Sequence, residues 1–200
     1  NSKDLVWSKL VHEYLMGSQT ALNDLRAWNA DATRMPERMH SEYLRGFYLN
    51  NDLAEGRYLV HGKPIALRDV HLPAFVVGTE KDHVSPWQSV YKIHLLTDTE
   101  ITFALTSGGH NVGVANPPEG PAANAAASHR LGVRPAGGAY HDPEDWLASA
   151  TPHAGSWWPT WQAWLAAHSG KPVKPRPIRG HESVNGEPLI DAPGCYVHGS

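Results

Sequence analysis

The stretch FVVGTEKDHVSPW, Phe75–Trp87, runs an apolar segment into a glycine, then into a cluster of charged residues, and closes on a proline. An apolar run bounded by turn formers predicts a buried strand, here one that ends in a loop carrying Asp82. Downstream, PWQSVYKIHLL reads as a helix and EITFALTS as a second strand, so the three segments form a βαβ unit. The crossover of such a unit is right-handed and both strands point the same way, which puts their C-terminal ends on one edge of the sheet. Ligands of open α/β sheets bind at that edge. Asp82 follows the first strand by a few residues, and His110, in ALTSGGHNVGV, follows the second. Their separation of 28 positions leaves room for one helix and one strand of ordinary length. An acid and a base are thereby carried to one place, and Gly108 and Gly109 allow the backbone to turn sharply beside His110.

Outward from this unit the chain reads in three parts, of α/β class as a whole. Residues 1–56 are helical: Val6, Leu10, Tyr14 and Leu15, then Leu22, Leu25 and Trp28, fall at helical spacing, with breaks near Gly17 and Pro36. Residues 57–170 form the core, opening with RYLVHGKPIAL, a short hairpin about His61 and Gly62. After a low-complexity PPEGPAANAAASH comes a tryptophan-rich segment in which Trp157, Trp161, Trp164 and Leu165 share one helical face, with Ser156 placed to cap it. That stripe reads as a helix docked on a core. Residues 171–200 are a Pro- and Gly-rich tail, and no internal repeat is present.

At 200 residues and 41% apolar content the chain can bury one sizeable core. Its 17 basic and 20 acidic residues leave a net charge of −3, without the positive field that neutralises phosphates, so nucleic acid is not expected as a partner. No apolar run reaches membrane-spanning length, and no span is expected. The opening NSKDLVW has neither an initiator methionine nor a signal-like apolar core, and suggests a piece of something longer. A single cysteine, Cys195, excludes an internal disulfide and fits a reducing cytoplasm. The 13 histidines contain no H-x-x-x-H or H-E-x-x-H pair, and GGHNVG lacks the G-x-G spacing of a dinucleotide cradle; neither a metal nor a nucleotide cofactor is expected.

An acid after one strand and a histidine after the next are the last two members of the α/β-hydrolase triad, whose chain order is nucleophile, acid, base. A serine or cysteine attacks an acyl carbon only when a neutral imidazole can take its proton, and a buried carboxylate fixes that imidazole's tautomer and stabilises its cation. On these residues alone, a surface aspartate and a hydrogen-bonded loop histidine remain the alternative.

Five blocks carry a resemblance: RAWNADATRMP (Arg26–Pro36), GTEKDHVSPWQSVY (Gly78–Tyr91), TSGGHNVGVANPP (Thr106–Pro118), GSWWPTWQAWL (Gly155–Leu165) and DAPGCYV (Asp191–Val197). In this order they cover nearly the whole chain, which resembles the C-terminal part of a poly(3-hydroxyalkanoate) synthase, most like the class I enzymes. The resemblance implies the C-terminal part of an α/β-hydrolase fold, preceded by the end of a helical cap. It implies an acyltransferase that joins 3-hydroxyacyl units from coenzyme A thioesters into polyester through a Cys-Asp-His triad. It also implies a dimer on cytoplasmic polyester granules, with no cofactor beyond the thioester substrate. Asp82 and His110 match the family's acid and base. His83 matches a family position of open role, and Trp28, Asn29 and Asp31 match the block that ends the cap, as substrate contacts or as helix packing.

The chain contains no G-x-C-x-G and no G-x-S-x-G. Cys195 follows the histidine instead of preceding the acid, so the nucleophile is expected outside this chain, which alone would be inactive and prone to associate through an open sheet edge. Asp82 could orient His110 or help activate the substrate hydroxyl. Two other classes stay open: an ester hydrolase or depolymerase that uses water as acceptor, and a non-catalytic piece that binds a partner or granules through its tryptophans.

Overall fold

Proline is excluded from helix interiors but suits a helix start, because the amide it lacks would have no partner there. Pro36, at φ −54°, is followed at once by helix α1 (Glu37–Tyr43), which passes directly into a π-helical stretch, Leu44–Leu49. A second π-helical stretch spans Leu10–Leu15. Strands β1 (Tyr58–Val60) and β2 (Lys63–Ile65) pair antiparallel about His61 and Gly62, the hairpin expected from the sequence. Tyr58 packs on Phe47 with ring centroids 4.8 Å apart. The computed structural model describes residues 10–17 and 34–175 together with Trp7. It divides after Val70 into units Asn1–Val70 and His71–Ser200, so the hairpin expected to open the core falls in the first unit.

The second unit is a mixed α/β sheet in the order β3 (Ala74–Thr79), β4 (Ile101–Thr106), β5 (Ser128–Arg134), β6 (Thr151–Ala154). Strands β3 and β4 are parallel, in register from Ala74 with Ile101 to Thr79 with Thr106, while β5 and β6 add antiparallel. The βαβ unit of the sequence reading is therefore present. Its crossover is two short helices, α2 (Trp87–Tyr91) and α3 (Ile93–Leu96), instead of one. Alternation along β4 sends Ile101, Phe103 and Leu105 to one face, where they meet Trp87 and Tyr91 of α2 and Trp146 and Ala150 of the α4 region (α4, Pro143–Ser149). Asp142 caps α4, accepting the Glu144 amide at 3.0 Å. On the other face Phe75 of β3 meets Trp157 and Trp164, at and within helix α5 (Trp158–Ala167).

Two expectations change. Among the described residues strand β3 is an edge strand whose first four residues are only half-buried, and the fully buried strand is β4. The tryptophan stripe docks by half: Trp157 is buried and Trp164 half-buried, whereas Trp161 and Leu165 are each 39% exposed. Together with Pro118, Trp158 and Pro159 these two line an open groove of about 260 Å³. Ser156 does serve the helix start, its Oγ accepting the Trp158 amide at 3.1 Å.

Behind the core, His94 is 4% exposed and neither ring nitrogen has a hydrogen-bond partner among the described residues. Burial, and then the Arg134 guanidinium, push the imidazole down to about 4. In the unfolded chain a histidine titrates near 6.5, so between about 6.5 and 4 the unfolded state binds more protons. The fold is therefore at full strength above about pH 6.5 and loses stability as pH falls toward 4. His94→Leu removes both orphaned nitrogens, and is expected to raise stability by about 1 kcal/mol near neutrality and to flatten this acid limb. Calorimetric melts of both proteins from pH 7 to pH 5 check it; parallel limbs would contradict it.

Candidate active site

The parallel ladder does not stop at the strand ends. The Glu80 amide donates to Thr106 O and the Lys81 amide to Gly108 O, both at 2.9 Å, so the loop after β3 is stitched to the loop after β4. Asp82 then turns back on its own loop: Oδ1 accepts the Val84 amide at 2.9 Å and the Ser85 amide at 2.8 Å, the local turn that aspartate favours. Oδ2 accepts the Thr79 hydroxyl at 3.2 Å and meets His110 Nδ1 at 2.8 Å. The carboxyl is held well below the ordinary carboxylate range, first by the Ser85 amide, then by His110, Val84 and Thr79, against the opposing effect of desolvation. Only 7% of the Asp82 side chain is exposed, against 50% of His110. An ionised carboxylate only accepts, so Nδ1 carries the imidazole proton and Nε2 is left as the base.

The turn bearing His110 is fixed from three sides. Gly108 takes φ +114°, and the Gly113 amide closes the turn on Gly109 O at 2.9 Å. The Thr106 hydroxyl donates to Gly113 O at 2.9 Å from the end of β4. Beyond it, Val114 O accepts both the Trp157 and Trp158 indole N–H groups, at 3.2 and 2.9 Å, and Asn116 O accepts the Ser156 hydroxyl at 2.5 Å. The start of α5 thus clamps the chain that follows His110. A Cβ at Gly113 would stand 2.6 Å from the Thr79 methyl, 2.8 Å from Gly109 O and 3.0 Å from Thr106 Oγ1. Gly113→Ala is therefore expected to destabilise the second unit by about 1–3 kcal/mol and to loosen the acid–histidine bond. Its melting temperature reads the first effect, and an unchanged melt would refute the close approach.

The structure brings Asp82 and His110 together. His83 is exposed beside Asp82 and makes no hydrogen bond among the described residues. Trp28, Asn29, Asp31 and Cys195 lie outside the described residues. Among those described, no cluster of histidine, cysteine and carboxylate side chains could hold a metal ion, and no helix is long and apolar enough to cross a membrane. A cavity of about 460 Å³ lies between the sheet and α4, lined by Tyr91, His94, Arg134 and Trp146, and does not include the acid–histidine pair. The sequence reading missed Thr79, Thr106 and Gly113. Their one signal was position, a threonine at the end of each parallel strand and a glycine three residues past His110.

A largely buried carboxylate thus holds a half-exposed imidazole at the C-terminal edge of two parallel strands, an arrangement in which the acid can orient the ring and the ring can exchange a proton with a neighbouring group. No family model matches the chain. The poly(3-hydroxyalkanoate) polymerase of Methylorubrum extorquens is 41% identical over 194 residues, which cover 97% of this chain and 30% of that protein. The poly(3-hydroxyalkanoate) polymerase subunit PhaC of Rhizobium etli is 36% identical over 98% of this chain and 29% of its own length. Poly(3-hydroxyalkanoate) polymerase 2 of Ectopseudomonas oleovorans is 38% identical over 97% of this chain and 33% of its own. Along nearly its whole length the chain is thus a relative of the poly(3-hydroxyalkanoate) polymerases, spanning about 30% of such a protein.

Proposed function

We propose that this chain is the acid- and histidine-bearing, C-terminal segment of an acyltransferase that polymerises 3-hydroxyacyl units from coenzyme A thioesters into polyester. The observation that carries this reading is the 2.8 Å bond between Asp82 Oδ2 and His110 Nδ1, residues brought together by adjacent parallel strands. The fold is the corresponding part of an α/β-hydrolase. Strand β3, which has no partner on its outer side among the described residues, is where preceding strands would join.

In the complete enzyme His110 Nε2 takes the proton of a cysteine thiol supplied from outside this segment, and the thiolate attacks the thioester carbonyl. The imidazolium returns that proton to the departing coenzyme A thiolate, which leaves as the thiol, and the acyl group stays on the cysteine sulfur. The 3-hydroxyl of the next unit then loses its proton to the same imidazole as it attacks. Asp82 serves as orienter and not as a second base, because its four acceptor positions are occupied and it stays ionised far into acid. No cofactor beyond the thioester substrate takes part. A dimer at the surface of polyester granules in the cytoplasm fits this activity.

The test joins this chain to the upstream part of the Methylorubrum extorquens polymerase and supplies 3-hydroxybutyryl-CoA, following thiol and polymer separately. Both should appear together. Thiol without polymer would point to hydrolysis instead, and neither product would reject the reading.

A further inference from the structure

Strands β3 and β4 end on register partners, Thr79 and Thr106, whose side chains leave the same face of the sheet and are 2% and 1% exposed. Thr106 is committed to the His110 turn through Gly113 O. Thr79 reaches both halves of the site. Its hydroxyl donates to Asp82 Oδ2, the oxygen that also accepts the His110 Nδ1 bond, and its methyl lies 2.6 Å from where a Cβ on Gly113 would stand.

The two bonds to Asp82 Oδ1 come from amides of the same loop and move with it. Thr79 is different, since it belongs to the strand and its backbone is held in the β3–β4 ladder. Its hydroxyl therefore ties the carboxylate plane to the sheet. A hydroxyl has one proton to give, and this one is given to the oxygen that faces the imidazole. The methyl group meanwhile fills the space under Gly113, in a turn that bonds Gly113 N–H to Gly109 O across His110. Acid and histidine are thus registered against one buried side chain.

We propose that Thr79 is the positioning residue of the acid–histidine pair: its hydroxyl fixes the plane of the Asp82 carboxylate and its methyl group supports the His110 turn at Gly113. The consequence for catalysis rests on the polymerase reading above. The geometry does not, because it lies within this chain.

Two variants divide the side chain. Thr79→Val keeps the shape and the β-branch but removes the donor; Thr79→Ser keeps the donor and removes the methyl. In the chain labelled with ¹⁵N-histidine, the proton on His110 Nδ1 should resonate far downfield, as expected for a short bond to a carboxylate, and His110→Ala assigns it by its disappearance. In Thr79→Val that signal should move upfield or exchange away, while in Thr79→Ser it should stay within the downfield range. A role confined to stability would lower the melting temperature without moving the resonance. In the chimera, Thr79→Val should lower kcat for coenzyme A release about tenfold with KM unchanged, and Thr79→Ser should recover most of it. An unmoved resonance in Thr79→Val, or equal disturbance by both variants, overturns the assignment. An inactive chimera whose Val and Ser variants still differ in the resonance supports the positioning role and counts against the polymerase reading alone.

Discussion

His110→Ala in the chimera with the Methylorubrum extorquens upstream part is expected to abolish acyl transfer, lowering single-turnover thiol release by roughly 10⁴ to 10⁶-fold. The size follows from what the residue does twice. A thiol at its ordinary acidity is a weak nucleophile, and on the proposed reading one nitrogen, Nε2, accepts first its proton and later that of the next unit's 3-hydroxyl. Among the described residues neither neighbour is placed to replace it: Asp82 is saturated with donors, and His83 is exposed and makes no hydrogen bond. Folding should survive, because His110 is half-exposed and its turn is held by Gly113, Thr106 and the α5 indoles instead of by the imidazole. A matching melting curve with lost activity is therefore the expected pair of results. Substantial thiol release from the variant would remove His110 from its assigned role.

How much of this was visible in the residues depended on whether burial could be read without partners. Strands β3 and β4 carry their apolar character in sequence order, and the distance from Asp82 to His110 allowed only one helix and one strand between them. The pair was legible for that reason. Strand β5 was not. SHRLGVR places a histidine, two arginines and a glycine in one strand, and becomes sheet because the fold supplies what those residues need. Arg134 donates to the carbonyls of His94, Thr97 and Thr99 at 2.7, 2.6 and 3.0 Å, and the Trp146 indole occupies the space where Gly132 has no side chain. These are contacts among residues far apart in the chain, and local pattern does not contain them.

Helix α5 failed in a different way. WPTWQAWLAA is apolar on nearly every side, so the tryptophan spacing identified a helix but could not tell the docked face from the open one. What selects the face is Phe75 on β3 and the carbonyl of Val114, both set by the sheet. The same limit hid Thr79. A threonine at a strand end is an ordinary β-former, and it becomes part of the site only when the loop beyond it folds back to offer Asp82 Oδ2.

Asp82→Asn should slow the first turnover and the steady state together, by about 10⁴-fold, with folding retained. The reason lies in which end of the amide goes where. The Val84 and Ser85 N–H groups need an acceptor, so the amide oxygen takes the place of Oδ1 and the NH₂ takes the place of Oδ2. That NH₂ then faces His110 Nδ1 as a donor. Nδ1 can answer only as an acceptor, the ring proton moves to Nε2, and the nitrogen that should take the thiol proton is already protonated. If Asp82 instead activated the incoming hydroxyl, the first equivalent of coenzyme A would still appear in a burst and only elongation would stall. Rapid-mix thiol release compared with polymer formation separates the two, and an intact burst in Asp82→Asn would refute the orienting role. Stability gives an independent check with a defined sign. The folded carboxyl lies below its unfolded value near 3.9, so the unfolded chain binds protons first as the solution is acidified. The advantage of aspartate over asparagine should therefore be constant from neutrality down to about pH 5 and should shrink only as pH falls through 4 and below.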